Sequence, residues 1–186
     1  VMRLRQLFRD DSLPFLNVQL PMWIAAGDED KHDWARLRLA QARAASALQP
    51  GGLAILLDCG EFDNIHPTDK RTPGERLCDV ALRVVYGMDA PESPRALGKY
   101  TQGDTLVVTL SAPVLRRETG ELLLEIAGED GAYHPVQSVT LDGTEMRLRS
   151  VAVLHPTKVR YAYVNWGKVS LFGRNGLPLA PFAFEG

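Results

Sequence analysis

Near Met88 the hydrophobic period of the chain changes, and the two sides of that change demand different architectures. Before it, short apolar runs alternate with stretches whose apolar residues recur every three or four positions, as in strands alternating with helices. After it, short β-prone runs follow one another with only turns between them. An α/β unit is therefore expected over residues 1–88 and a small antiparallel β-sandwich over residues 89–186.

In the first half, Met2 to Arg9 reads as a helix. Phe15–Leu20 is an apolar run that follows the turn residues Asp11, Ser12 and Pro14 and stops at Pro21, which fits a buried strand. Trp34, Leu37, Ala44, Ala45 and Leu48 recur at helical spacing, and Pro50-Gly51-Gly52 ends that helix. Leu53–Leu57 reads as a second buried strand. Thr72-Pro73-Gly74-Glu75 has the form of a capping box with proline at the first helical position. Leu77, Val80, Ala81, Val84 and Val85 then line one helix face, and Gly87 is the natural stop. This order belongs to a parallel sheet with flanking helices. Two or three strands make a sheet too small to stand alone, so half of a domain is the expected arrangement, and the opening from Val1 straight into a helix reads as a start in mid-domain.

Met88 to Pro94 reads as a linker. Beyond it, strands are expected at Thr105–Leu110, Leu122–Ala127, Val136–Leu141, Met146–Ser150 and Val159–Val164.

Composition narrows the function. Hydrophobic residues make up 45% and charged residues 24%, with a net charge of -2, so nothing resembles the basic footprint that nucleic acid requires. No apolar run approaches the ~20 residues of a membrane-spanning helix. Two cysteines, Cys59 and Cys78, are too few for a disulfide scaffold and are expected to be small buried apolar residues. The four histidines, at 32, 66, 134 and 155, form no metal motif with them.

In open α/β sheets the reactive loops follow the carboxyl ends of the strands. The loop after Leu57 reads Asp58-Cys59-Gly60-Glu61-Phe62-Asp63-Asn64-Ile65-His66-Pro67. An acid three residues ahead of a histidine lets one loop supply an imidazole that takes a serine proton and a carboxylate that steadies the imidazolium. The same pattern also suits a surface histidine, and Asp58 is a second candidate for the orienting carboxylate or a turn residue.

The stretch LLDCGEFDNIHPTDKRTPGERL, Leu56 to Leu77, resembles the signature of sialate O-acetylesterases and related carbohydrate acetylesterases. Phe15 to Pro21, Trp34 to Gln41, Glu125 to Val136, Val159 to Trp166 and Asn175 to Phe182 are similar to further blocks of that family in the same order. The resemblance implies the C-terminal half of a flavodoxin-like SGNH hydrolase domain followed by the sandwich. It implies His66 as general base, Asp63 as its acid, and an acetylated carbohydrate, sialic acid or another, as substrate of a serine esterase with no cofactor and no metal. The family's nucleophilic serine stands in a G-D-S block, and none of Ser12, Ser46, Ser93, Ser111, Ser138, Ser150 or Ser170 has that context. The expected partner is therefore the missing N-terminal part of the catalytic domain. An extracellular or periplasmic setting would agree with the family.

Gln19, near a strand end, is a candidate substrate contact. Gln41, on the apolar face of its helix, is expected to tie helix to strand. Trp23, Tyr133, Tyr161, Tyr163 and Trp166 form either a sugar-stacking surface or sandwich core, with Tyr161 and Tyr163 on one strand face by alternation. Two other readings remain: a non-catalytic carbohydrate-binding or interaction protein, and an inactive truncated remnant.

Overall fold

The computed structural model describes residues 1–185. Helix α1 spans Met2–Phe8, strand β1 Phe15–Val18, helix α2 Asp33–Ala47, strand β2 Gly51–Ala54 and helix α3 Arg71–Val84. β1 and β2 pair in parallel, Phe15 with Gly51 through Val18 with Ala54, and Gln19 N–H extends the ladder to the Ala54 carbonyl. Successive strand residues face opposite sides, and two adjacent glycines show what lies on each. A Cβ on Gly51 would fall 2.6 Å from the Leu48 carbonyl at the end of α2, and one on Gly52 would fall 2.4 Å from Val80 Cγ1 of α3. The helices thus press on both faces of β2 at backbone distance. The far edge of β1 pairs with no strand among the described residues.

Gly87, at φ 62°, closes α3, and Met88 N–H reaches the Leu82 carbonyl as expected of a glycine stop. The other end differs from the sequence expectation. α3 begins at Arg71, and the Asp69 carboxylate, not a Thr72–Glu75 box, accepts from Arg71 N–H and Thr72 N–H, both at 3.0 Å. Glu75 is drawn instead to Arg71 one turn back, at 2.6 Å.

The second half holds β3 (Ala96–Gln102), β4 (Thr105–Leu110), β5 (Val114–Arg116), β6 (Leu124–Ala127), β7 (His134–Pro135), β8 (Ser138–Asp142), β9 (Glu145–Arg149), β10 (Lys158–Tyr161), β11 (Leu171–Gly173) and β12 (Phe182–Phe184). They form antiparallel sheets ordered β3-β4-β9-β8 and β12-β10-β6-β7, with β11-β5 as a two-stranded ribbon. The chain is thus a mixed α/β protein with few helices and several antiparallel sheets. Its apolar core is continuous: Met22, Ile55 and Leu57 from the first half join Leu106, Ile126, Met146 and Val159 of the second.

Several elements depart from the periodic reading. Leu123 at φ 48° delays the start of β6, and Ala162 at φ 53° ends β10 early. A left-handed residue breaks the alternation of strand side chains, so Tyr161 and Tyr163 do not share a face. Tyr161 is fully buried against Phe182, while Tyr163 is half-buried beside His32 and Arg160. In α2 the buried positions are Ala35, Arg38 and Ala45, whereas Leu37 is exposed. The cysteines also depart: Cys59 is only half-buried and Cys78 is exposed.

Candidate active site

The loop after β2 is held by an ion pair at its root. Arg76 of α3, itself buried, donates to both Asp58 carboxylate oxygens, at 2.6 and 2.7 Å, and to the Ile55 carbonyl at 2.7 Å. Asp58 is thereby committed to α3 and makes no hydrogen bond with His66. The pairing also sets the character of Cys59. Its thiol is pushed up to about 12, first by burial and then by the Asp58 charge, so it stays protonated and unreactive. Gly60 follows because nothing larger fits: a Cβ there would lie 1.9 Å from the Met22 carbonyl.

Glu61 closes the loop on itself. Its Oε1 accepts from Thr68 N–H at 2.7 Å and from Thr68 Oγ1 at 2.6 Å, and its Oε2 accepts from Asn64 Nδ2 at 2.6 Å. These bonds, the Thr68 hydroxyl foremost, hold its carboxyl below the usual range. Asn64 Oδ1 then accepts His66 N–H at 3.0 Å. The backbone around His66 is ordered by these short-range bonds, and its imidazole is exposed with no protein hydrogen-bond partner among the described residues. No serine hydroxyl among the described residues bonds it.

Asp63 holds the loop to its neighbour. It sits at φ 58°, donates its N–H to the Ile24 carbonyl at 3.1 Å, and accepts Ala26 N–H on Oδ1 at 2.8 Å. Among the described residues its Oδ2 has no hydrogen-bond partner, and no hydrogen bond joins it to His66. Gln19 is only 1% exposed, with neither side-chain amide atom bonded. Gln41 ties helix to strand, accepting Leu20 N–H at 2.9 Å and donating to the Val18 carbonyl at 3.2 Å.

Residues from the second half complete the surroundings. Asn165 is buried and locked to the segment after β1: Trp23 N–H donates to its carbonyl at 2.8 Å, and its own N–H donates to Asp30 Oδ2 at 2.7 Å. Trp166 meets the Phe62 ring edge-on at 5.7 Å. Trp166 also lines a cleft of about 250 Å³ together with Asp58 and Gly60 of the loop and Arg117 and Lys168 of the sandwich. The order Asn165-Trp166 directly after an aromatic strand was the available signal that this segment packs against the first half. Among the described residues no cluster of His, Cys, Asp and Glu is arranged to hold a metal ion.

A carbohydrate acetylesterase from Xanthomonas citri, known from its crystal structure, superposes on 98% of the chain with a TM-score of 0.89 and 33% sequence identity. The chain spans 44% of that protein's length, less than half. No protein-family model matches, and no curated protein matches.

Proposed function

We propose that this chain carries the histidine-bearing part of a serine esterase that removes O-acetyl groups from carbohydrates, sialic acid or another acetylated sugar. The observation that carries the reading is the 33% identity to a carbohydrate acetylesterase over 98% of the chain. His66 acts as general base, taking the proton of a serine hydroxyl as its oxygen attacks the acetyl carbonyl. The acetyl-serine then forms, the sugar leaves with the proton returned by His66, and water, deprotonated by the same imidazole, releases acetate. Asp63 steadies the ring through Oδ2, its Oδ1 being anchored on Ala26. Gln19 is buried with its amide unpaired, so a contact from it to substrate requires the segment over it to open.

The serine comes from polypeptide outside this chain. The edge of β1 left unpaired among the described residues supports this, as do exposed apolar residues of the first half: Val18 of β1 itself, Leu37 of α2, and Met2, Leu7 and Phe8 of α1. An open parallel edge and apolar surface left in water are ordinarily covered by further strands and helices.

The test is acetate release from p-nitrophenyl acetate and from O-acetylated sugars. The chain is assayed alone and joined to the preceding part of its polypeptide, each with and without His66→Ala. Activity that requires the joined form and disappears with His66→Ala is the expected result. Activity in the isolated chain would mean that the nucleophile lies within it, and a folded but inactive joined form would overturn the esterase reading.

A further inference from the structure

The His66 loop is gripped from two sides, and both grips trace to Asn165-Trp166. On one side the segment after β1 holds it, through Asp63 N–H to the Ile24 carbonyl and Ala26 N–H to Asp63 Oδ1, with Gly60 against Met22. That segment is itself fixed by Asn165, through Trp23 N–H and Asp30. On the other side Phe62, 55% exposed and four positions ahead of His66, rests its ring against Trp166. Phe62 is a large apolar side chain left mostly in water, and the loop gains no core packing from it; its one aromatic contact is with the sandwich.

We propose that Trp166 is a positioning residue for His66: the β-sandwich sets where the imidazole stands by gripping the loop at Phe62, while its neighbour Asn165 fixes the opposing segment. The sandwich is then a working part of the site and not an appendage. The inference rests on the reading of His66 as the general base, but the grip itself is measurable without any substrate.

Amide hydrogen exchange and the His66 ring resonances are followed in the chain carrying Phe62→Ala, Trp166→Ala or Trp166→Phe. Phe62→Ala removes the loop's half of the contact without touching the core. Either alanine variant should raise exchange at the Asp63, Asn64 and Thr68 amides roughly 3- to 10-fold, the scale of one edge-on aromatic pair. Strand amides at Leu106 and Val108 should be unchanged, the His66 ring resonances should move, and Trp166→Phe should restore both. Unchanged loop amides in Phe62→Ala, or loop and strand amides loosening together in both alanine variants, would overturn the proposal. In the joined, serine-bearing form, both alanine variants should lower kcat more than they raise KM. If that form hydrolyses no acetyl ester at all, the esterase reading fails, and the exchange data still decide whether Trp166 positions the loop.

Discussion

Asn165 caps helix α2 from across the molecule: its Oδ1 accepts the Trp34 N–H at 3.0 Å, a bond spanning 131 positions of sequence. His32, the residue at the helix start, has a left-handed backbone and makes no side-chain cap bond. The Trp34 N–H of the first turn is therefore shared between Asp33 Oδ1, also at 3.0 Å, and a residue from the other half of the chain. The Asn165 Nδ2 donates to Asp33 Oδ1 at 2.7 Å, so one amide serves both a helix N–H and a helix carboxylate.

Replacing Asn165 by Ala should remove this cap and the Nδ2 donor to Asp33, while the backbone N–H to Asp30 remains. A loss of about 1–2 kcal/mol is expected, the usual scale for an N-cap. The urea midpoint at neutral pH measures it.

The same variant should change the acid limb of stability. The Asn165 hydrogen bond is the leading cause holding the Asp33 carboxyl below its ordinary value of 3.8. A carboxyl depressed in the folded state stabilises above its unfolded value, and that contribution is lost as pH falls through the lower folded value. Urea midpoints followed from about pH 5 down to about pH 2 should fall less steeply in Asn165→Ala than in the parent chain.

Arg38 should be the most costly charged residue to replace. It is fully buried, and its Nη2 donates to the Ala162 carbonyl at 3.2 Å and to that of Val164. Burial lowers its pKa to about 10, so it remains charged at neutral pH. Arg38→Met keeps much of the volume but leaves both carbonyls without this donor, and a loss of about 2–4 kcal/mol is expected by chemical denaturation.

The two cysteines should differ in reactivity. Cys78 is exposed, whereas Cys59 is half-buried with its thiol held protonated. Iodoacetamide at mildly alkaline pH should add one label to the native chain, at Cys78, and a second only after unfolding, as read by mass spectrometry.

Gly60→Ala should disturb the His66 loop more than any other single methyl group there. The new carbon would overlap the Met22 carbonyl, so the loop or the segment after β1 must move. Destabilisation of at least about 2 kcal/mol is expected, together with altered exchange at Asp63 N–H.

Much of the scaffold was legible because it is local. The strand at Phe15–Val18, the Gly87 stop and the antiparallel strands β4 and β9 follow from apolar periodicity and from residues that turn the chain, whereas β2 runs Gly51–Ala54 and not Leu53–Leu57, because Gly51 and Gly52, read as a helix stop, pair with Phe15 and Leu16. β3 was not legible: Ala96–Gln102 carries Gly98, Lys99 and Gln102, is mostly in contact with water, and is a strand because β4 offers it a ladder. The ends of β6 and β10 were misread because Leu123 and Ala162 hold left-handed backbones that neither residue type favours locally.

The sequence by itself determined which segments are strands and helices in outline, where the chain changes from α/β to antiparallel β, and which loop carries Asp63 and His66. Only the tertiary structure decided what the polar groups do: Asp58 goes to Arg76, Asp63 Oδ1 to Ala26, Arg38 to the sandwich carbonyls and Asn165 to the start of α2. The physical reason is range. Periodicity records which side of an element is buried, a property of neighbours a few residues apart. A buried donor or acceptor must be matched by whatever the fold brings within about 3 Å, and for these side chains that partner stands as far as 132 positions away.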